Sequence, residues 1–384
     1  MDPAVKPLAS TFCARPGWVA LLLALALNAF TESPVARATP VPVIFDTDMG
    51  SDCDDVGALA LLHVYADRGQ AEILGCIFSS GKVPYGAGVV EAINVYYGRP
   101  HIPVGAAHDD VVGDPVDKMT AEKLAKDTAA FGNRMVHNRD AEEMTALNRR
   151  LLATQPDHSV TYLTVGHTKG LHDLLVSPPD AVSPLSGFEL VQRKVQRWVA
   201  LGALGASNPE RRFTKDWNFF FNGTAPYTRH LVERFPVPVF YVDGGDDVLT
   251  GRSLKHTPPG NIVRTAYRDW LWNYEQKTLD GQRPSWDLVA VRYAVEGLGD
   301  YLVEEGRGWL EFDVEKGCRW VNGERDNAQT FIRQKSGVSE RMADELNALL
   351  ALPPRLRTTV RPRRRRGHQV RGCGRPPRGL TLGE

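Results

Sequence analysis

Five aspartates fall within ten residues at Asp46-Thr-Asp-Met-Gly-Ser-Asp-Cys-Asp-Asp55, directly after the apolar run Val41-Pro-Val-Ile-Phe45 and before a helical apolar pattern from Val56 to Ala66. Charges this close repel unless a cation or specific hydrogen bonds hold them. An exposed acidic turn is the bland alternative, but such turns are seldom fixed between two apolar elements. Strand, loop and helix in succession form the unit of an open α/β sheet, where ligands gather at the carboxyl ends of strands. An oxygen-only donor set favours Ca²⁺ or Mg²⁺ over zinc.

The remaining pattern extends this unit. Short apolar runs at Ala71–Phe78, Ile102–Gly105, Val160–Val165, Val195–Leu201 and Val237–Val242 read as strands. Helical spacing appears near Gly86–Tyr97, Gly170–Leu175, Ala225–Glu233, Arg264–Gln276, Leu288–Val295 and Ser339–Leu350. The expectation is an α/β fold: one three-layer αβα domain over residues 39–352, with an open, mostly parallel sheet. The polar stretch 107–140 reads as an insertion that bears part of the site's rim.

The two ends stand apart. Lys6 and Arg15 precede an apolar stretch from Trp18 to Phe30, and Ala36-Arg37-Ala38 has small residues at A-x-A spacing, so residues 1–38 read as an export signal cleaved after Ala38. The apolar stretch is short for a membrane anchor. The location expected is periplasmic or secreted. Residues 355–384 hold ten Arg against one Glu, so the zero net charge hides an acidic body and a basic tail. The tail from 353, rich in Arg, Pro and Gly, reads as disordered and solvated, with no nucleic-acid function assigned to it. Cys53, Cys76, Cys318 and Cys373 lack zinc or redox spacing and form no disulfide framework, and Cys53 and Cys76 read as buried free thiols.

Two familiar acidic motifs do not fit the loop. An EF-hand needs Gly at its sixth position and helices on both sides, whereas Gly50 is fifth and a strand precedes it. A phosphatase of the haloacid dehalogenase type also opens on strand-D-x-D, but Gly50 stands where its pattern wants Thr or Val, and it leaves Asp54-Asp55 unexplained. The run resembles the N-terminal signature of the inosine-uridine nucleoside hydrolase family, D-x-D-x-G-x-D-D before an apolar helix, here with two extra residues. Tyr162-Leu-Thr-Val-Gly-His-Thr-Lys-Gly170, Asp216-Trp-Asn-Phe-Phe-Phe-Asn222 and Ser285-Trp-Asp-Leu-Val-Ala290 resemble later family segments in the same order.

That resemblance implies hydrolysis of a ribonucleoside's N-glycosidic bond with Ca²⁺ as cofactor. It makes Asp48 both a calcium ligand and the base that deprotonates water. Asp55, Asp287 and the Val165 carbonyl would complete the calcium sphere, and Asp54, Asn218 and Asp287 would hold ribose hydroxyls. Asp216 would meet the 5′ end, Asp46 would support the loop, and Asp52 inherits no role. The partner implied is a small nucleoside, with neither nucleic acid nor a stable membrane anchor; a homo-oligomer is the family habit, though no interface is legible.

The departures matter equally. Trp286 stands where many relatives have a His able to protonate the leaving base, and Ser79-Ser-Gly-Lys82 replaces an Asn near the ribose. Lys82 is therefore a candidate substrate-binding residue in place of that Asn, the alternative being a pocket for a different, anionic ribosyl substrate. His167 is a candidate acid, though a surface His is the commoner case. Asn218 could be a buried, backbone-satisfied Asn, Asp287 a helix N-terminal residue, and Trp217 and Trp286 core residues. Asn222-Gly-Thr224 matches a glycosylation acceptor, but its place beside the site argues against a sugar. A calcium-dependent ribosyl-binding protein without turnover and a phosphatase remain as alternatives.

Overall fold

Strand β1 (Val41–Thr47) lies between β2 (Ala71–Phe78) and β5 (Val160–Thr164), parallel to both. These are features of a computed structural model that describes residues 39–325 and 329–355. From β2 the sheet runs outward through β3 (Val104–Ala106) to β4 (Glu142–Glu143); on the other side it runs from β5 through β6 (Val195–Leu201) to β7 (Val239–Asp243). The chain thus reverses its direction of travel across the sheet at β1 and β5. In an open α/β sheet such a switch opens a crevice at the carboxyl ends of the strands, and the acidic loop leaves β1 there.

Alternation along the strands sorts side chains into two cores. Val43 and Phe45 of β1 join Val199 and Leu201 of β6 on one face, under helices Asp54–Arg68, Gly86–Tyr96, Ile262–Glu275, Trp286–Glu296 and Ser339–Leu350. Ile44, Tyr162 and Trp198 point to the opposite face, under helices Met144–Ala153, Lys169–Val176, Gly187–Lys194 and Ala225–Arg234. Both faces of the parallel strands are covered, as their nearly unbroken apolar sequences require. The result is the three-layer α/β arrangement expected.

The sheet continues past β7. After the two-residue strands β8 (Leu249–Thr250) and β9 (Arg283–Pro284), which pair with each other, come β10 (Leu302–Asp313), β11 (Gly317–Asn322) and β12 (Gln329–Gln334). Strand β12 adds to β7 in parallel, and β10 pairs antiparallel with both β12 and β11. The sequence reading did not place these strands, because β10 exposes Val303, Glu304 and Arg307 along one stretch and reads as charged rather than alternating. It also missed helices Met144–Ala153 and Gly187–Lys194. Stretch 107–140 carries short helices Ala121–Lys126 and Thr128–Phe131.

The described residues from Val41 onward form one compact unit. No helix among the described residues is long and apolar enough to cross a membrane. The export signal expected over 1–38, Cys373 and the Arg-rich tail beyond 355 lie outside the described residues. Cys53, Cys76 and Cys318 are buried free thiols.

Candidate active site

The acidic loop is folded back on the end of β1. The Thr47 hydroxyl donates a short hydrogen bond to Asp55 Oδ1, and the Asp48 amide donates to the same oxygen at 3.3 Å. The Asp287 amide lies 3.4 Å from Asp54 Oδ2, which ties the first turn of helix Asp54–Arg68 to the first turn of helix Trp286–Glu296. Two helix N-termini therefore converge on the carboxylates, and their positive ends favour negative charge there. Behind the loop, the Asp46 carbonyl accepts from the Val165 amide at 2.8 Å and Asp46 Oδ2 lies 3.2 Å from the Tyr162 hydroxyl. Gly166 lets β5 approach: a Cβ there would meet the Asp48 nitrogen at 2.6 Å and the Thr47 carbonyl carbon at 2.7 Å.

Asp52, Asp54, Asp55 and Asp287 each offer a carboxylate oxygen, and these oxygens all lie within 4.8 Å of one another. Oxygens bound to one Ca²⁺ at about 2.3–2.6 Å can be no more than about 5.2 Å apart, so the cluster has the dimensions of a divalent-cation site. Its electrostatics ask for one. Burial pushes the Asp54, Asp55 and Asp287 carboxyls well above the ordinary range, and repulsion among the neighbouring aspartates adds to it. Asp52 is the exception: burial opposes its charge, but Arg283, with Nη2 2.6 Å from Asp52 Oδ2, prevails and lowers its pKa. The extra aspartate that inherited no role thus belongs to the cluster and has its own counterion.

Asp48 stands beside this group and is paired differently. Its Oδ2 lies 2.5 Å from His167 Nδ1, a close contact not aligned as a hydrogen bond. His167 is 1 % exposed, which corrects the expectation of a surface histidine. On its far side Nε2 is 3.3 Å from Asn222 Nδ2. Asn222 thus meets one ring nitrogen, and Nδ1 is the one turned toward Asp48. Behind this contact the buried Thr224 accepts from the Thr168 amide at 3.1 Å.

A cavity of about 500 Å³ opens over these groups, lined by Asp48, Asp54, Asp55, Val165, Asp216, Asn218 and Asp287 among others. Seven residues singled out in the sequence thus meet in one place. Asn218 Nδ2 donates to the Val165 carbonyl at 2.7 Å, leaving its own carbonyl oxygen and one lone pair of Val165 uncommitted. Asp216 caps the helix Trp217–Phe220: Oδ1 accepts from the Phe219 amide at 2.9 Å and Oδ2 from Leu204 at 3.3 Å, yet burial holds its pKa up at about 6. Lys82 is not brought to this cavity; it lines a separate one of about 360 Å³ with His108, Asp109, His137 and Arg139. Trp217, 46 % exposed, lines the acidic cavity, and the half-buried Trp286 lines it too while packing against the core.

Sequence reasoning passed over Arg283, Trp270, Tyr274 and Lys118, which line the same cavity. Lys118 and the neighbouring Asp114 come from the stretch 107–140, whose expected place at the rim is thereby accounted for. Arg283 stood only four residues before Asp287, and its proximity to the late segment was the one available signal.

No family model matches the chain. A curated DNA ligase 1 of Methanosarcina acetivorans is 27 % identical over 146 residues, which is 37 % of this chain; the chain spans about a quarter (24 %) of the ligase's length. Solved structures match far more of it. An inosine-uridine preferring nucleoside hydrolase from Bacillus anthracis superimposes with a TM-score of 0.58, covering 81 % of this chain and 99 % of its own at 16 % identity. The chain has the nucleoside hydrolase fold. A plant nucleoside hydrolase agrees, with a TM-score of 0.57 over 82 % of this chain and 100 % of that one at 14 % identity. The nucleoside hydrolase fold is shared by the type III effector protein XopQ, solved complexed with adenosine diphosphate ribose, at 12 % identity and a TM-score of 0.57 over 83 % of this chain and 94 % of the effector. The likeness is one of fold and covers nearly the whole of each neighbour.

Proposed function

We propose that the protein hydrolyses the N-glycosidic bond of a ribonucleoside or a related ribosyl compound, with Ca²⁺ as its metal. The observation that carries this reading is the cluster of carboxylate oxygens within 4.8 Å, set beside Asp48 at the floor of the cavity where the sheet reverses. Asp52 is already matched by Arg283, so Asp55, Asp287 and Asp48, with the Val165 carbonyl, are the groups assigned to hold the ion. The ion supplies Lewis acidity that makes a water easier to deprotonate.

Asp48 accepts the proton of the attacking water, and His167 holds the carboxylate from behind. Asp54, Asp287 and Asn218 grip the ribose hydroxyls, and these contacts strengthen as the sugar flattens toward an oxocarbenium ion. The water oxygen bonds to C1′ as the C1′–N pair leaves with the base. A nutrient-scavenging role outside the cytoplasm suits the export signal read from residues 1–38.

The deciding experiment follows free base and ribose from a panel of purine and pyrimidine nucleosides, with and without chelator. Calcium-dependent release is expected, falling by about 10²- to 10⁴-fold in Asp48→Asn, the usual contribution of a general base. One observation favours a ribosyl-binding protein instead: no His lines the cavity among the described residues, and Trp286 is no acid. Calcium-dependent ribose binding without turnover would establish that second reading.

A further inference from the structure

One wall of the acidic cavity is built as a row of stacked cations and rings. Lys118 Nζ lies 3.8 Å from the centroid of the Tyr274 ring. Tyr274 stacks on Trp270 at 4.9 Å with 28° between the planes. The Arg283 guanidinium carbon then lies 4.5 Å from the Trp270 ring and 4.6 Å from the Trp286 ring. All five side chains line the cavity that holds Asp48, Asp54, Asp55 and Asp287.

The row is fixed in place. Trp270 Nε1 donates to the Ser51 carbonyl at 2.9 Å, the Lys118 amide donates to the Gly50 carbonyl at 3.0 Å, and Asn273 Nδ2 donates to the Lys118 carbonyl at 3.0 Å. The rings engage one another and the cations face-on. What the wall offers a ligand is the N–H groups of Lys118 and Arg283. The cavity therefore has an electronegative floor of carboxylates and an electropositive wall. Breaking a glycosidic bond separates charge in the same sense, positive on the sugar and negative on the departing base.

We propose that Lys118 and Arg283, set in this row with Tyr274, Trp270 and Trp286, form the leaving-group subsite and stabilise the base as an anion in place of proton donation. This rests on the hydrolase reading above. The electron pair of the C1′–N bond goes to the base nitrogen, the water oxygen bonds to C1′, and the water proton goes to Asp48. The base leaves as its anion and takes a proton from solvent. Trp286 at the usual acid's position is then a plate that holds Arg283. Lys118 is the charge of the pair to vary, because its ammonium rests on a ring whereas Arg283 is already bound to Asp52.

The test compares the calcium-loaded full chain with Lys118→Met and Lys118→Arg on ribosides of graded leaving-group acidity: 4-nitrophenyl β-D-ribofuranoside, whose phenolate leaves unaided, against uridine and adenosine, whose bases are weak acids. Removing one preorganised charge should lower kcat/KM on the nucleosides by about 10²-fold, a typical value for loss of such a stabilising group. The 4-nitrophenyl riboside should be nearly unaffected, and Lys118→Arg should retain most activity on all three. Thermal melting and calcium affinity of both variants should match the unaltered protein, which excludes misfolding as the cause. An equal loss on all three substrates, or no loss, overturns the leaving-group role while leaving the hydrolase reading intact. Failure of the unaltered protein to turn over any riboside overturns both.

Discussion

At the scale of single residues, the site depends on how each buried carboxylate finds a partner. Asp48 has His167 at 2.5 Å, and His167 is held in turn by Asn222. Replacing His167 by Leu leaves Asp48 facing an apolar wall. A stability loss of about 1–3 kcal/mol in denaturant unfolding is expected from that buried group, with kcat reduced as Asp48 loses its orientation. His167→Asn, whose amide can donate toward Asp48, should recover part of both. Lys82 teaches the converse: a cation in the right stretch of sequence can line another cavity altogether.

At the scale of elements, the decisive contact is between the ends of β1 and β5. The turn at Gly166 packs directly on the backbone of Thr47 and Asp48, with no room for a methyl group. Gly166→Ala must push the two strand ends apart, at a cost of about 1–3 kcal/mol. Because the strand ends carry Asp48 and the Val165 carbonyl, calcium affinity measured by titration calorimetry should weaken as well, whereas an overpacked position remote from the site would leave it unchanged. The stretch 107–140 acts through its Lys118 and Met119 amides, both donating to the Gly50 carbonyl at 3.0 and 3.1 Å, so the rim is pinned to the acidic loop.

At the scale of the whole molecule, the buried acids make stability depend on pH and, if the proposed ion binds, on metal as well. Asp54, Asp55 and Asp287 have pKa values well above the ordinary one through burial, and Asp216 is raised to about 6. A carboxyl raised in the folded state binds protons there that the unfolded chain has released. Stability therefore falls as pH rises from the ordinary carboxylate range through the raised values. Without metal, the melting temperature should be higher near pH 5.5 than near pH 8. On the proposed reading, Ca²⁺ binds the ionised form and only the folded state, so saturating Ca²⁺ should raise the melting temperature most at pH 8 and shrink or reverse the difference. Differential scanning fluorimetry with chelator and with calcium checks this; identical pH profiles under both conditions would remove the metal from the cluster.

The sequence by itself determined the α/β class, the strands around β1 and the identity of most acidic groups, because apolar periodicity is local and five aspartates between two apolar elements have few folded solutions. It could not order Asp52 against Arg283, bury His167 under Asp48, or separate Lys82 from the cavity, since each depends on which distant segments meet across the sheet reversal. The C-terminal strands were hidden for a related reason: an edge meander with one wet face is held by pairing with β7 rather than by its own pattern. Only the tertiary structure decided that Lys118, Trp270, Tyr274, Arg283 and Trp286 share a wall, because cation–ring contact is a relation in space between chain segments up to about 170 residues apart and leaves no periodic trace in any one of them.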